Sequence, residues 1–151
     1  MDNFTWAGGA VTIGGSSYDV TEFSLTNNLG YVTDRRQIRA STDKKEPTSV
    51  RREGTFSINS DFDSMTQRNR AHATTRSAAL AAITATWNGP TLLGTSLYPQ
   101  VSVTIPAARF DEWTGATEGP EAISQELAGV VRYDGSNSPI TIAIKSADAT
   151  P

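Results

Sequence analysis

The first residues whose types and spacing could serve chemistry are alternating oxygen donors. Asn59, Asp61 and Asp63 are spaced like the first ligands of an EF-hand calcium loop. That loop also needs glycine at its sixth position and glutamate at its twelfth, but this chain has Ser64 and Arg70 there. We therefore expect no calcium site in this segment.

A second group consists of four carboxylates close to Trp113 in sequence, namely Asp111, Glu112, Glu118 and Glu121. Two carboxylates held a fixed distance apart can cleave a glycosidic bond. Nothing else in the sequence supports a sugar site, so we interpret this segment as a solvated loop. One alternative function stays open, in which a monomeric β-barrel module binds a carbohydrate or another small ligand beside Trp113.

Other kinds of catalytic site lack their essential residues. His72 is the single histidine and lies in a polar, arginine-rich stretch, which excludes two-histidine metal sites and favours a solvated position. Cysteine is absent, and no glycine-rich phosphate loop or nucleophile-elbow motif occurs. The sequence thus predicts a protein that is not an enzyme and uses no metal or cofactor.

The length and charge of the chain suit one domain over residues 1–151. With 13 basic and 16 acidic residues the net charge is -3, which is too acidic for a dedicated nucleic-acid binder. No apolar run approaches the roughly 20 residues needed to span a bilayer, and the acidic start at Met1 and Asp2 does not resemble a signal peptide. We expect synthesis in the cytoplasm and no membrane contact.

Charge is divided into three blocks along the chain. Residues 34–76 hold ten basic and six acidic residues, a balance of +4. Residues 1–33 hold three acidic and no basic residues, and residues 77–151 hold seven acidic and three basic ones, a balance of -4. Either the basic block is simply a solvated surface, or it docks against the acidic surface of another copy, because complementary charge aligns an interface.

Most of the chain alternates apolar and polar residues with the period of two that is typical of half-buried strands. A strand predicted from Tyr18 to Tyr31 places four apolar residues on its buried face: Phe23, Leu25, Leu29 and Tyr31. Asn27 breaks this pattern, as a bulge or as the exit of the strand from the core. The same alternation predicts strands at Arg52–Phe62, Val101–Ile105, Ala122–Tyr133 and Ile140–Lys145, the last with Ile140, Ile142 and Ile144 on its buried face.

One segment, from about residue 65 to residue 76, favours a helix. Ser64 and Gln67 have the spacing of a capping box, and no glycine or proline follows until Gly89. Leu80–Trp87 precedes an Asn-Gly-Pro turn and is predicted as a strand. The fold class predicted is therefore mainly β: a β-sandwich or small barrel of antiparallel strands with one flanking α-helix.

Residues 33–50 are charged and hold almost nothing to bury, so we expect a long arm that projects from the β domain. Loops beyond about 12–15 residues are uncommon without a task, although a hairpin without function remains the alternative. The candidates for contacts between copies are its basic residues, namely Arg35, Arg36, Arg39, Lys44 and Lys45.

Two tryptophans, Trp6 and Trp113, lie outside the regular patterns. Phe56, Phe62 and Trp87 fall on apolar faces or end apolar runs, so core packing explains them. A large aromatic side chain that the core does not need often anchors an interface. Trp6 and Trp113 are therefore further candidates for contacts between subunits.

The order of these segments resembles that of the tail tube proteins of long-tailed, siphovirus-type bacteriophages over nearly the whole chain. The resemblance rests on these segments and their order: Phe23–Leu29, the charged arm, Gly54–Ile58, the helix after Asp61–Asp63, Val101–Pro106, Gly119–Ser124 and Ile140–Ile144. Each motif alone is weak, whereas the order is specific.

The resemblance implies a structural subunit that assembles with itself into hexameric rings, which stack into a hollow tube that conducts the viral genome to the host. In this family the charged arm bridges stacked rings, which would be the task of residues 34–50. The implied partners are other copies of the chain, a tape measure protein and other tail proteins, in a virion tail assembled in the host cytoplasm. A tail terminator or distal ring protein with the same fold is the alternative.

DNA would pass through such a lumen without specific binding. A wall with exposed Lys or Arg would bind phosphate and slow the passage, so the wall should be neutral or acidic. Glu126 lies in the acidic C-terminal block, on the strand face that also holds Ser124 and Ala128. It is our candidate for a residue that faces the lumen.

Overall fold

A computed structural model describes residues 8–32, 48–49, 52–75, 79–90, 98–116 and 123–145, and these form ten strands and one short helix. The strands are β1 (Gly9–Ile13), β2 (Ser16–Tyr18), β3 (Val20–Asn28), β4 (Tyr31–Val32), β5 (Thr48–Ser49), β6 (Glu53–Asp61), β7 (Leu80–Asn88), β8 (Gln100–Ala116), β9 (Ser124–Arg132) and β10 (Thr141–Lys145). The helix α1 spans Thr66–Ala71. The prediction of a mainly β fold is confirmed. In these described ranges no helix is long and apolar enough to cross a membrane.

One antiparallel sheet contains eight of the strands. Its order is β2-β1-β7-β8-β9-β6-β3, and β10 pairs with the first half of β8 on the same side as β9. The two ends of this order, β2 and β3, are consecutive in the chain and separated only by Asp19. The sheet therefore curls back on itself. In a closed barrel β2 and β3 would be hydrogen-bonded to each other, but here the chain only passes from one to the other at Asp19.

The apolar core lies inside this curl. Ile58, Ile83, Ile105 and Leu127 have no exposed surface, and each comes from a different strand. Phe56 on β6 meets Phe110 on β8 edge to face, with ring centroids 5.1 Å apart. Phe23 and Trp87 lie 6.3 Å apart and bring β3 over β7, which makes the curled sheet resemble a sandwich in cross-section. Core packing of Phe56 and Trp87 is confirmed.

Strand β8 is much longer than the predicted Val101–Ile105, because two irregularities interrupt its alternation. The register against β7 shifts between the pairs Ile83 with Ile105 and Ala81 with Ala108, so Pro106 lies at a bulge where proline is tolerated. A second shift against β9 leaves Asp111 as the extra residue. The segment around Trp113 is therefore part of a strand, and the prediction of a loop there was wrong.

The helix is shorter than predicted and is held in a different way. Gln67 is completely buried instead of closing a capping box with Ser64. Its Nε2 donates to the Tyr18 hydroxyl at 2.6 Å, and its Oε1 accepts from Arg70 Nη1 at 2.8 Å. After Ala71 the amide of Ala73 donates to the Arg70 carbonyl, a tightened turn that ends the helix so that the chain can enter β7. The predicted strand at Leu80–Trp87 is confirmed as β7.

The segment predicted as one strand from Tyr18 to Tyr31 is divided among three. Its irregularity lies between Val20 and Glu22, whereas Asn27 pairs in register with Gly54. Gly30, with a φ of 62°, turns the chain out of the main sheet. As a result Leu29 and Tyr31 are 47% and 51% exposed, and their predicted burial was wrong.

Candidate functional site

The first candidate surface is the outer side of four adjacent strands: the second half of β8, then β9, β6 and β3. We call it the polar face. Residues that pair directly across antiparallel strands lie on the same side of a sheet, so the registers define its rows. One row contains Thr114, Glu126, Asn59 and Glu22, and the next contains Glu112, Ala128, Ser57 and Ser24. Asn59 Nδ2 donates to Glu22 Oε2 at 3.1 Å, which ties two strands together across the first row.

The polar face is acidic. The alternation of its four strands places five carboxylates on it, namely Glu22, Glu53, Asp61, Glu112 and Glu126, against two arginines, Arg109 and Arg132. Arg109 Nε lies 2.6 Å from Asp111 Oδ1, and this hydrogen bond raises the pKa of the guanidinium above its ordinary value. Asp111 thereby screens one of the two positive charges.

Glu126 lies on the same side of β9 as Ser124 and Ala128, as the alternation predicted, and its position in a lumen wall stays a prediction. Glu126 is exposed, whereas its neighbours Gln125 and Leu127 point to the opposite side of β9 and are buried. The sequence did not reveal which residues lie beside Glu126. The pairing of β9 with β6 and of β6 with β3 places Glu126 in one row with Asn59 and Glu22, although Glu22 is more than a hundred positions away in the chain. The sequence showed the alternation within each strand, but it did not show the registers in which the strands pair.

The base of the predicted arm forms a separate small sheet. β4 and β5 pair antiparallel, with Tyr31 opposite Ser49 and Val32 opposite Thr48. The candidates Arg35, Arg36, Arg39, Lys44 and Lys45 lie outside the described residues, as does Trp6. Beside this base, the exposed Leu29 and Tyr31 are apolar surface that the period-two pattern had assigned to the core.

Trp113 packs within its own chain. It is half-buried on β8, its Nε1 donates to Gln125 Oε1 at 3.1 Å, and its ring lies 6.4 Å from that of Phe62. Gln125 in turn donates from Nε2 to the carbonyl of Asp61 at 3.1 Å. These contacts give Trp113 a role in the fold, and its predicted role as a subunit contact stays a prediction. Of the carboxylates grouped with it, Glu118 and Glu121 lie outside the described residues.

In the part of the chain that the structure describes, neither the residues spaced like a calcium loop nor His72 belong to a metal site or a catalytic site. Asp61 and Asp63 are exposed, and no cluster of three metal-ligating side chains occurs among the described residues. His72 is exposed where α1 ends.

The last candidate surface is β10, which the sequence predicted to be half-buried. All five of its residues are exposed, Ile142 at 61% and Ile144 at 76%, so this prediction was wrong. An alternation with period two shows that a strand has an apolar side, but not whether the same chain covers that side.

Asp134 begins the turn before β10, and hydrogen bonds from the Asn137 side chain and from the amides of Asn137 and Ser136 lower its pKa.

Among the strand edges that have no partner strand in the described residues, two border the polar face. β3 pairs only with β6, through one of its two edges. β8 pairs with β7 up to Arg109, so beyond Phe110 its second half pairs only with β9. β3 and the second half of β8 are the outermost of the four strands that carry the polar face. Open strand edges are natural sites for pairing with another chain.

Comparisons with known proteins agree with this architecture. The family model described as "Phage tail tube protein" matches residues 1–131. No curated protein matches the chain. Among solved structures, the anti-feeding prophage cap, a tube terminating cap, is similar with a TM-score of 0.61 at 14% identity, covering 96% of this chain and 93% of that one.

Two further structures come from an extracellular contractile injection system named PVC. Its sheath/tube terminator in the extended state gives a TM-score of 0.62 at 9% identity and covers 97% of this chain and 99% of that one. Its sheath-tube complex gives 0.59 at 8% identity and covers 96% and 93%. At these identities the similarity shows the fold.

Proposed function

The chain belongs to the phage tail tube protein family, and from this premise we propose that it is a subunit of hexameric rings that stack into a hollow, genome-conducting tube. The observation that carries the proposal is the family match over residues 1–131, together with a curled sheet in which the polar face is bordered by two strand edges that have no partner strand among the described residues. Its role is structural, in keeping with the family.

Rings would form by joining the two open edges. The free edge of β3 in one copy would pair with the free edge of β8, from Asp111 to Ala116, in the next. Because the two edges belong to different strands, the contact is head-to-tail, and such a contact closes into a ring when the rotation between copies allows it. Pairing would satisfy backbone groups that otherwise stay open to unwanted partners.

The polar face is the surface proposed to line the lumen. It spans the strands between the two joined edges, so ring closure would turn six such faces into one continuous wall. Its carboxylates outnumber its arginines, so phosphate would be repelled and DNA would pass without specific binding. Glu126 lies in the middle of this wall.

Stacking is the task proposed for the arm that leaves the body after β4 and returns at β5. Its basic residues would meet acidic surface on the adjacent ring, since the remainder of the chain is acidic. The proposed partners are other copies of the chain, a tape measure protein and other tail proteins. The tail is proposed to be of the long, siphovirus type, assembled in the host cytoplasm.

A second function is favoured by one observation. Two of the three structures described above bear the names of a tube-terminating cap and a sheath/tube terminator. A terminator with the same fold would form a single ring on the end of a tube made by another protein. It would therefore form rings but not tubes.

Negative-stain electron microscopy of the purified, concentrated protein, combined with light scattering, tests both functions. Tubes with a regular axial repeat support the tube subunit, and rings that never stack support the terminator. A particle that remains monomeric at all concentrations would contradict both and would favour a monomeric binding module.

A further inference from the structure

A group of apolar side chains lies at the end of the sheet where β6 ends and β9 begins. The amide of Phe62 donates to the carbonyl of Ile123 at 2.8 Å, and the Phe62 ring lies 6.4 Å from that of Trp113. Arg68 lies over the Trp113 ring, and its Nη1 is 3.9 Å from Met65 Sδ. Met65 is 52% and Ile123 is 42% exposed, whereas Phe62 and Trp113 are half-buried. We call Phe62, Met65, Trp113 and Ile123 the α1 patch, because it lies where α1 begins.

Carboxylates surround the α1 patch. Asp61 and Asp63 lie on either side of its first residue in the chain, and both are exposed. Glu22 and Glu126 follow on the polar face, in the row that lies two residues from Asp61 along β6. Arg68 adds one positive charge, which is stacked on the patch itself. The α1 patch is therefore partly exposed apolar surface with an acidic rim.

The opposite end of the same strands carries the base of the arm. Leu29 directly follows β3 and Tyr31 begins β4, and they are 47% and 51% exposed. Gly30 lies between them and turns the chain away from the main sheet. The basic residues Arg35 and Arg36 follow closely in the sequence. Leu29 and Tyr31, which we call the arm-base patch, thus combine apolar surface with nearby positive charge.

We propose that the arm-base patch of one copy docks on the α1 patch of a copy in the adjacent ring. This inference rests on the proposed function and identifies the two surfaces of its axial contact. A copy cannot make the contact with itself. Glu53, which pairs with Asn28 beside the arm-base patch, and Asp61, beside the α1 patch, are the two ends of β6. Eight steps of about 3.4 Å place these ends about 27 Å apart.

The positions of the two patches fit the stacking of rings. Rings that are joined through the edges of β3 and β8 keep the strands of the polar face running up the wall of the tube, with the tilt that barrel strands have. The two patches then lie on opposite axial faces of each ring. A contact between two unlike faces can repeat without closing, and it therefore builds an open stack.

Charge favours the same pairing. The acidic rim would meet the positive charge of Arg35 and Arg36, whereas two α1 patches that faced each other would bring carboxylates together. The arm-base patch contributes only two apolar side chains from each copy. The charged rim therefore keeps the axial contact sensitive to salt.

Disulfide cross-linking tests the contact directly, because the chain has no cysteine of its own. Tyr31→Cys and Ile123→Cys proteins are prepared separately, mixed before assembly and then oxidised. We expect cross-linked dimers to be at least about tenfold more abundant in the mixture than in either protein alone, since a disulfide needs Cα atoms within about 7 Å. The control is Ser24→Cys, in the middle of β3, which should give no increase when it is mixed with Ile123→Cys.

Charge insertion gives an independent test. Ile123→Asp and Met65→Asp are expected to shorten tubes at least about tenfold, because docking would bury an unpaired carboxylate. Rings should still form, and the melting temperature of the protomer should change little at these partly exposed positions. Ser24→Asp adds the same charge away from both patches and should leave tube length unchanged.

A charge swap tests the acidic rim. Reversing Asp61 and Asp63 to lysine should shorten tubes, and combining this change with reversal of Arg35 and Arg36 to glutamate should restore their length, because opposite charges would face each other again. Failure of the combined variant to recover any tube length would count against this pairing of charges.

The inference is overturned if Ile123→Asp forms tubes of normal length, if it prevents rings instead of tubes, or if Tyr31→Cys cross-links equally well to Ser24→Cys. Wild-type rings that never stack would also overturn it and would support the terminator. Absence of rings in the wild-type protein would instead contradict the proposed function.

Discussion

Beside its carboxylates the polar face carries a group of short hydroxyl side chains. Ser24, Thr26, Thr55 and Ser57 come from two neighbouring strands and point to the same side as Glu126. Short hydroxyl side chains project little and lose little rotamer entropy when they are ordered. A face of this kind suits a wall along which a polyanion slides, since neither a bulky group nor a cation interrupts these positions.

Glu126→Lys tests this interpretation at the scale of one residue. Each ring would gain a set of cations in its wall, and each phosphate that they neutralise makes DNA binding stronger and more salt-dependent. We expect assembled tubes of the variant to retain short DNA about tenfold more strongly than wild-type tubes at low salt, measured by co-sedimentation.

The matched control for this change is Glu126→Gln, which removes the charge without adding a cation. It should assemble and leave DNA retention close to the wild-type value. If Glu126→Lys tubes form and DNA retention does not change, Glu126 does not face the path of the DNA.

Individual elements were predictable where alternation was uninterrupted. β6 was identified because every second residue, such as Phe56 and Ile58, is apolar and buried. β7 was identified by its β-branched residues and by the Asn-Gly-Pro turn that follows it. The predicted length of β8 was too short because the bulges at Pro106 and Asp111 each shift its alternation by one residue. Gly129 on β9 marks this irregular region, since a Cβ there would collide with the Arg109 carbonyl. That collision depends on the register, which a single sequence does not reveal.

The polar contacts that hold α1 were also beyond sequence reasoning, and they can be tested. Tyr18→Phe removes the hydroxyl that accepts a hydrogen bond from the fully buried Gln67. A buried amide left without a partner costs about 1–3 kcal/mol. We expect urea unfolding of unassembled protein to show a loss of this size. Tyr31→Phe, at a side chain that is 51% exposed, should change stability by less than about 0.5 kcal/mol; equal stability of both variants would contradict the role of the network.

The arm is the element with the most direct assembly prediction. Reversing Arg35 and Arg36 to glutamate should shorten tubes, because like charges would replace the attraction between adjacent rings. The melting temperature of the protomer should not change. Tube lengths are measured on micrographs, with Arg52→Glu as a control at an exposed basic residue of the same charge block. Normal tube length in the double variant would count against the arm as the stacking element.

At the scale of the whole molecule, the two proposed contacts differ in their physics. The lateral contact is proposed to rest on strand pairing, which joins uncharged backbone groups and is not screened by salt as exposed charges are. The axial contact relies on the basic block of residues 34–76 and the acidic blocks that flank it. Exposed charges such as these are screened by salt, because the Debye length falls from about 10 Å at 0.1 M to about 3 Å at 1 M.

This difference predicts a stepwise dissociation. Raising the salt concentration from 0.1 M to 1 M should convert tubes into separate rings before any monomer appears, since screening weakens the axial contact while the strand pairing of the lateral contact persists. Sedimentation velocity follows the three species in one experiment. Tubes that resist 1 M salt, or that dissociate directly into monomers, would show that the two contacts are not divided between charge and strand pairing in this way.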